Sequence, residues 1–358
     1  MRNITMNSTE IAKRAGVSRS TVSRVINNYS NVPDETREKV MKVIRKYNYV
    51  PNVSAQVLAG KAAKTIGLFL IEKGEVGDAL TNLLLASVID AASTAGYYVL
   101  TSILRDMEDA EAVQNVRDIF YQRRIDGGVF IGARSREPLI EALAAEGFMV
   151  AVMDQKREAS TEPNRIAASF DNTTGMKLAV NYLASLGHRD IAVINGDMNR
   201  PSGPSKHAGF VSAMQAIGLP LRSDWVLAGS FHENSGYEAV QGLLARSGKL
   251  PTALIAVNDS AAFGAMKAFK ENGLRIPEDI SIIGFDDHPL SAMVHPALTT
   301  VRVNFKEMMQ RLTNALIHGI EQAPGAIHDF EVGCELVIRD SCMMIIRKES
   351  ITSLTKGT

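Results

Sequence analysis

From Thr65 onward, short uninterrupted apolar runs alternate with longer amphipathic stretches, and this alternation constrains the fold more than any other feature of the chain. Ile66-Gly67-Leu68-Phe69-Leu70-Ile71 precedes an amphipathic stretch at 78–95, and similar runs return at 97–103, 127–131, 149–153, 166–170, 191–194, 253–257 and 280–285. A run that is apolar at every position must be covered on both faces, which a parallel sheet flanked by helices provides. Residues 65–345 are too many for one comfortable sheet, so the pattern predicts two similar α/β lobes with a ligand held between them.

The first 50 residues differ in texture. Their apolar spacing is helical, and turn signals divide them into three pieces. Asn7 followed by Glu10 has capping-box spacing, with Asn in place of the usual Ser or Thr, and opens a helix that stops near Ala15-Gly16. Ser18 caps a second helix running to Asn27. Pro33-Asp34-Glu35 opens a third, with carboxylates at its positive end.

The formal net charge of zero conceals an asymmetry. Residues 1–64 hold 12 lysines and arginines against 4 acids, a net of +8, and the remainder carries −8. A small basic unit on an acidic body suits a polyanionic partner for the first and another task for the second. The chain has only two cysteines, Cys334 and Cys342, which excludes a disulfide framework, fits a reducing cytoplasm and leaves both as plain core thiols. No apolar leader or membrane-length run occurs, so neither export nor a membrane partner is expected. Zinc-ligand spacing, a phosphate loop, a Gly-x-Gly-x-x-Gly turn and a nucleophile elbow are all missing, so the reading calls for no catalytic residue, no metal and no cofactor.

In the second helix Val22, Val25 and Ile26 share a face that can pack on the first helix, leaving Arg19, Ser20, Ser23 and Arg24 pointing outward. A helix with two guanidiniums and several hydroxyls on one face suits the major groove, although a basic solvated face in an unrelated bundle has the same spacing. The segment from Ser8 to Asn27, with Val32-Pro33-Asp34-Glu35-Thr36-Arg37-Glu38-Lys39-Val40 and Tyr47-Asn48-Tyr49-Val50-Pro51-Asn52, decides between them: it resembles the head of the lactose-repressor (LacI/GalR) family of bacterial regulators. The likeness continues to about Cys342 through Leu186-Gly187-His188-Arg189-Asp190-Ile191-Ala192, Pro277-Glu278-Asp279-Ile280-Ser281-Ile282-Ile283-Gly284-Phe285-Asp286-Asp287 and Pro296-Ala297-Leu298-Thr299-Thr300-Val301.

That resemblance implies an N-terminal all-α helix-turn-helix head (1–50), a hinge (51–64), a two-lobed periplasmic-binding-protein-like α/β core (65–345) and a disordered tail (346–358). Lobe one is expected at about 65–163 plus 296–328, lobe two at about 164–295 plus 329–345. In the head, Arg19 and Ser20 would choose the operator sequence and Arg24 would add a base contact. Thr21, Ser23, Asn27 and Tyr49 look like positioning or phosphate-contacting residues, which set register without reading sequence.

The hinge Asn52-Val53-Ser54-Ala55-Gln56-Val57-Leu58-Ala59-Gly60 is far below the roughly 12–15 residues at which an isolated helix becomes marginally stable. Paired with its twin on DNA it can fold. The resemblance makes Leu58 a wedge between base steps of the minor groove, with Ala55 beside it and Asn52 at the helix start; an ordinary flexible linker is the alternative.

For the core, the resemblance implies a small carbohydrate-like effector between the lobes. Asp259 is read as the main carboxylate, or else as a helix cap. Arg200, Ser202 and Lys206 follow the strand at 191–194, with Lys206 standing where the family usually has arginine, so a bidentate grip is lost. Phe231 either stacks on ligand or packs in the core. Asp154, Asp171 and Asp287 are further candidates, each balanced against loop capping. Lys73 lies where family members often have aromatics, which suggests an acidic or phosphorylated sugar facing Lys73, Arg200 and Lys206. His188 and His295 look structural. The expected partners are near-palindromic operator DNA, a sugar-like effector and a second copy of the chain, with an interface that includes the helix around Leu80 to Ala92. The competing reading is a solute-binding or sugar-processing protein with an incidental basic head.

Overall fold

The computed structural model describes residues 6–50, 62–72, 78–155, 162–246, 248–322 and 329–345. It separates into two compact units, Met1–Ala63 and Lys64–Thr358.

The first unit holds three helices: α1 (Ser8–Ala15), α2 (Arg19–Ile26) and α3 (Asp34–Lys46). Their limits follow from local chemistry. Asn7 Oδ1 accepts the Glu10 N–H at 2.9 Å, and Ser18 Oγ accepts the Thr21 N–H at 3.0 Å. Each bond satisfies a donor that the first helical turn leaves without a partner. Gly16 ends α1 in the left-handed region at φ 65°, where a side chain would be strained. Ile11, Val22 and Val40 are fully buried, one from each helix, with Ala12, Val25 and Val32 around them. Arg37 ties α3 to the preceding loop through Asn28 Oδ1 (2.8 Å) and the Tyr29 carbonyl (2.6 Å).

The second unit contains two six-stranded sheets. Its first part comprises β1 (Thr65–Ile71), α4 (Ala79–Thr94), β2 (Tyr98–Leu104), α5 (Ala110–Tyr121), β3 (Gly127–Ile131), α6 (Pro138–Ala145), β4 (Met149–Met153) and β5 (Arg165–Phe170). Then come α7 (Asn172–Ser185), β6 (Ile191–Ile194), α8 (Ser202–Ala216), β7 (Val226–Leu227), α9 (Glu233–Leu244), β8 (Ala253–Ala256), α10 (Asp259–Glu271), β9 (Ser281–Asp286) and β10 (Thr299–Val303). The last elements are α11 (Phe305–Glu321), β11 (Phe330–Val332) and β12 (Cys334–Val337).

One sheet runs β11-β5-β4-β3-β1-β2, every pair parallel; the other runs β12-β10-β9-β8-β6-β7, with only the β10–β12 pair antiparallel. β1, β3, β4, β5, β6 and β8 are buried almost throughout, as strands covered on both faces must be. Under lobe one, Phe69, Phe120 and Phe130 stack on one another, with ring centroids 4.8 Å apart for Phe69–Phe130.

The lobe limits differ from the expectation at every crossing. β5 pairs with β4, Val150 opposite Arg165, so 165–170 belongs to lobe one; β10 pairs with β9, Thr299 opposite Ile283, so 299–303 belongs to lobe two. β11 pairs with β5 and returns 330–332 to lobe one. The chain therefore crosses just after a strand, near 171, 304 and 333. The expected limits, near 163, 295 and 328, each fall just before a strand, whereas ladder hydrogen bonding keeps that strand with the lobe the chain is leaving or returning to.

β2 also departs from its apolar composition. As an edge strand it leaves Tyr98 77%, Leu100 38% and Ile103 45% exposed.

Candidate functional site

Two sites emerge, one in each unit. In the head, Arg19, Ser20, Ser23 and Arg24 are exposed along one side of α2 while Val22 and Val25 are buried on the other. Arg19 Nε donates to Ser8 Oγ at 3.1 Å, and the Ser20 and Ser18 hydroxyls are 2.7 Å apart. These local contacts pre-order the face without covering it. Thr21, Asn27 and Tyr49 are half-buried. Thr21 Oγ1 lies 2.8 Å from Ser18 Oγ, and Asn27 Nδ2 donates to Ser23 Oγ at 3.3 Å. Tyr49 packs on the helical core. Asn52, Ala55 and Leu58 lie outside the described residues.

In the core, both sheets reverse their strand order between β1 and β3 and between β6 and β8, the switch points at which an α/β sheet opens a crevice beyond its strand ends. A cavity of about 160 Å³ lies there, and its lining includes Glu72, Gly132, Asp154, Phe170, Arg200, Ser202, Lys206, Phe231, Asn258 and Asp286. Lys206 is buried: its Nζ donates to the Val257 carbonyl at 2.7 Å, stands 3.7 Å from Asp286 Oδ1, and lies 3.6 Å from the centroid of the Phe285 ring. An arginine fork would be poorly matched to a point contact of this kind. Arg200 reaches across the lobes to Glu72 at 3.5 Å and sits 5.6 Å from the Phe231 ring centroid. Glu72 also faces His232, at 3.4 Å.

Burial pushes the Asp154 carboxyl up to about 6, against the pull of a hydrogen bond from Ser202 and of the Lys206 and Arg200 charges. Burial likewise raises Asp286 to about 6, opposed by Lys206 and reinforced by Asp154. Both carboxylates occupy left-handed backbone, with φ 58° at Asp154 and 108° at Asp286. Such strain collects at ligand sites.

Of the core candidates, then, Asp154, Arg200, Ser202, Lys206 and Phe231 come together in the cleft. Lys73 lies outside the described residues. Asp259 does not join them. It is 1% exposed, and its oxygens serve the protein: Oδ1 accepts from Thr300 Oγ1 at 2.5 Å, while Oδ2 accepts from Ser291 Oγ at 2.6 Å and the His288 N–H at 2.7 Å. Any side chain at Gly284 would collide with it. Nor is Asp259 the helix cap, because Asn258 Oδ1 accepts the Ala261 N–H at 2.9 Å. Asp287 is likewise corrected: Arg302 and Arg339 each hold one of its oxygens at 2.6 Å, and it does not line the cleft. Asp171 caps α7 through the Thr174 N–H at 2.9 Å.

The residues missed were the immediate neighbours, Asn258 and Asp286, together with Glu72. Asp286 is the last residue of its strand, and that was the available signal. His188 is buried between Thr252 Oγ1 (2.9 Å) and the Met343 carbonyl (3.1 Å). Both cysteines are free, with burial raising each thiol to about 12. Among the described residues no cluster of His, Cys, Asp or Glu could hold a metal ion, and no helix is long and apolar enough to cross a membrane.

Comparison with known proteins agrees with this geometry. The model of bacterial regulatory proteins of the lacI family matches residues 8–52, and that of the periplasmic binding protein-like domain matches 180–342. The HTH-type transcriptional repressor PurR of Histophilus somni (strain 129Pt) is 32% identical over 335 residues, covering 93% of this chain and 97% of the relative. The chain belongs to the lacI family of bacterial regulatory proteins. PurR of Erwinia tasmaniensis is 34% identical over 339 residues, 93% of this chain and 95% of that protein. Among solved structures, the lac repressor dimer bound to operator and the anti-inducer ONPF superposes with a TM-score of 0.77 at 28% identity, covering 94% of this chain and 99% of that one. The transcriptional regulator CelR–cellobiose complex gives 0.72 at 25% identity, with the same coverage. As a lacI-family member, the chain is a DNA-binding transcriptional regulator under allosteric control by a small effector.

Proposed function

We propose that this regulator is a cytoplasmic, non-enzymatic repressor. Two copies read a near-palindromic operator through the exposed face of α2, and a neutral, carbohydrate-like molecule in the cleft sets their affinity. The observation that carries the DNA reading is that face itself: Arg19, Ser20, Ser23 and Arg24 exposed on a helix whose opposite side is buried. Arginine there can bridge guanine O6 and N7, with about 1–3 kcal/mol of discrimination per good bidentate pair.

The cleft favours hydroxyl-bearing ligands. Its described lining carries the carboxylates Glu72, Asp78, Asp154 and Asp286 against the cations Arg200 and Lys206. An acidic or phosphorylated sugar would meet net repulsion there, so that expectation gives way to an uncharged one. Carboxylates accept pairs of hydroxyl donors, and Phe231 offers a face to a sugar ring. The cavity is smaller than the roughly 300–1,000 Å³ of drug-sized ligand sites, which suits a monosaccharide.

A two-fold dimer follows from the need to frame two heads symmetrically. Ile89 on α4, the helix expected from sequence, and Tyr98, Leu100 and Ile103 on β2 supply an exposed apolar surface for it. Between head and core, the hinge (Leu58 above all) converts the separation of the two core N-termini into order or disorder, for a coupling of about 1–3 kcal/mol.

Operator selection followed by gel shift, with salt and neutral sugars titrated, tests this function. Binding should select a near-palindrome, weaken steeply with salt and respond to at least one sugar. Affinity that ignores every sugar while the cleft is demonstrably filled would refute the switch. Leu58→Ala should weaken operator binding and leave sugar affinity nearly intact.

A further inference from the structure

Adjoining the effector cleft at Asp154 lies a second, larger cavity of about 600 Å³, lined by Ser135, Arg136, Glu141, Asp154, Gln155, Arg165, Ser169, Asn172, Pro201, Pro204 and Ser205. The bonded pair Asp154–Ser202 stands where the two cavities adjoin: Asp154 lines both, whereas Ser202 lines only the effector cleft. None of Arg200, Lys206, Phe231, Asn258 or Asp286 reaches the larger space.

Two of its walls carry polar atoms left without a hydrogen bond among the described residues. Arg165 is 6% exposed, yet its Nε has no acceptor; Glu141 Oε1 is 3.2 Å away but off the N–H direction. Asn172 is 4% exposed, and its Oδ1 has no donor. A buried donor and a buried acceptor without partners each cost about 1–3 kcal/mol, so their occurrence beside one large space points to an occupant.

The lining also indicates the occupant's class. The charged groups of the described lining cancel, Arg136 and Arg165 against Glu141 and Asp154; Arg165 is paired with Glu141 and hydrogen-bonded to Gln155, and Asp154 is held by Ser202 and the nearby cations. A charged ligand would therefore add a buried ion with no counter-charge, which is strongly unfavourable. Among the described residues the lining contains no aromatic side chain for a flat base to stack on, whereas Ser135, Ser169 and Ser205 contribute hydroxyls. A hydroxyl both donates and accepts, and so can satisfy Arg165 Nε and Asn172 Oδ1 alike.

We infer that this cavity is a second binding site, taking an uncharged polyhydroxylated molecule up to about disaccharide size, separate from the effector cleft. The inference goes beyond the proposed function and does not rest on it.

The test is crystallographic, with the full chain soaked separately in glucose, cellobiose and gluconate. The expected result is glucose or cellobiose in the larger cavity, hydroxyls within hydrogen-bond distance of Arg165 Nε and Asn172 Oδ1, and no gluconate there. Calorimetric titration with the same sugar should lose this cavity's binding event in Ser135→Trp, a substitution at an exposed rim position, and keep it in Asp286→Asn, a change confined to the effector cleft. Only water in the cavity after every soak, sugar confined to the Arg200–Lys206 cleft, or gluconate as the sole occupant would overturn the assignment. Because the soak reports the two cavities independently, an empty effector cleft would count against the proposed function and not against this site.

Discussion

Replacing Asp259 with alanine separates a scaffold carboxylate from a ligand carboxylate. The substitution removes three hydrogen bonds, from the His288 N–H, Ser291 Oγ and Thr300 Oγ1. The stranded N–H costs about 1–3 kcal/mol, and each hydroxyl, free to turn elsewhere, roughly 1 kcal/mol. Part of this is offset because burial already disfavours the ionised carboxyl, whose pKa stands at about 7. A net loss of roughly 2–4 kcal/mol remains. In a domain of this size each kcal/mol lowers Tm by about 2–4 °C, so the core transition of the full chain should drop by roughly 4–16 °C at pH 7.5. Asp259→Asn keeps two acceptor positions, and the Thr300 hydroxyl can turn its lone pair toward the new amide, so that variant should melt near the wild type and bind effector normally. An Asp259→Ala core that melts within 2 °C of wild type but no longer binds effector would refute this assignment and restore Asp259 to the cleft.

Other consequences are sharp enough to measure. Asp154 and Asp286 have folded pKa values raised to about 6 from an ordinary 3.8. The stability linked to their protonation is complete below the unfolded value and disappears as pH rises through about 6, so Asp154→Asn should gain on wild type in Tm between pH 4 and 8; a constant difference across that range would contradict the burial argument. Lys206→Met removes the cation between Val257 and Asp286 and should abolish effector binding seen by calorimetry, since a buried Asp286 would be left without its partner; wild-type affinity in this variant would remove Lys206 from the site. Ser18→Ala deletes the cap of α2 and should destabilise the head by about 1 kcal/mol, with operator affinity falling in step and effector affinity unchanged, as read by circular dichroism and gel shift.

What the sequence revealed and what it concealed divide along a physical line. The head was legible because its determinants are local: Asn7 and Ser18 cap within three residues, and Gly16 supplies the one left-handed turn α1 needs. The strands were legible because burial on both faces leaves apolar runs that few other structures would tolerate. The cleft was legible only to within a residue. Asn258 and Asp286 line it, while Asp259 and Asp287 beside them are engaged inside lobe two. Composition could not distinguish the members of either pair, since each juxtaposes two polar residues at a strand's carboxyl end. The backbone decides. Asp286 and Asp287 both take positive φ, 108° and 55°, so the strict alternation of β9 breaks at its last residue. One carboxylate is thereby turned to Lys206 and the next to Arg302 and Arg339. A strained two-residue turn of this kind depends on partners distant in sequence: Lys206, Arg302 and Arg339 lie 80, 15 and 52 residues from the carboxylates they hold. For that reason strand ends, where α/β cores place their chemistry, are also where reading by periodicity loses register.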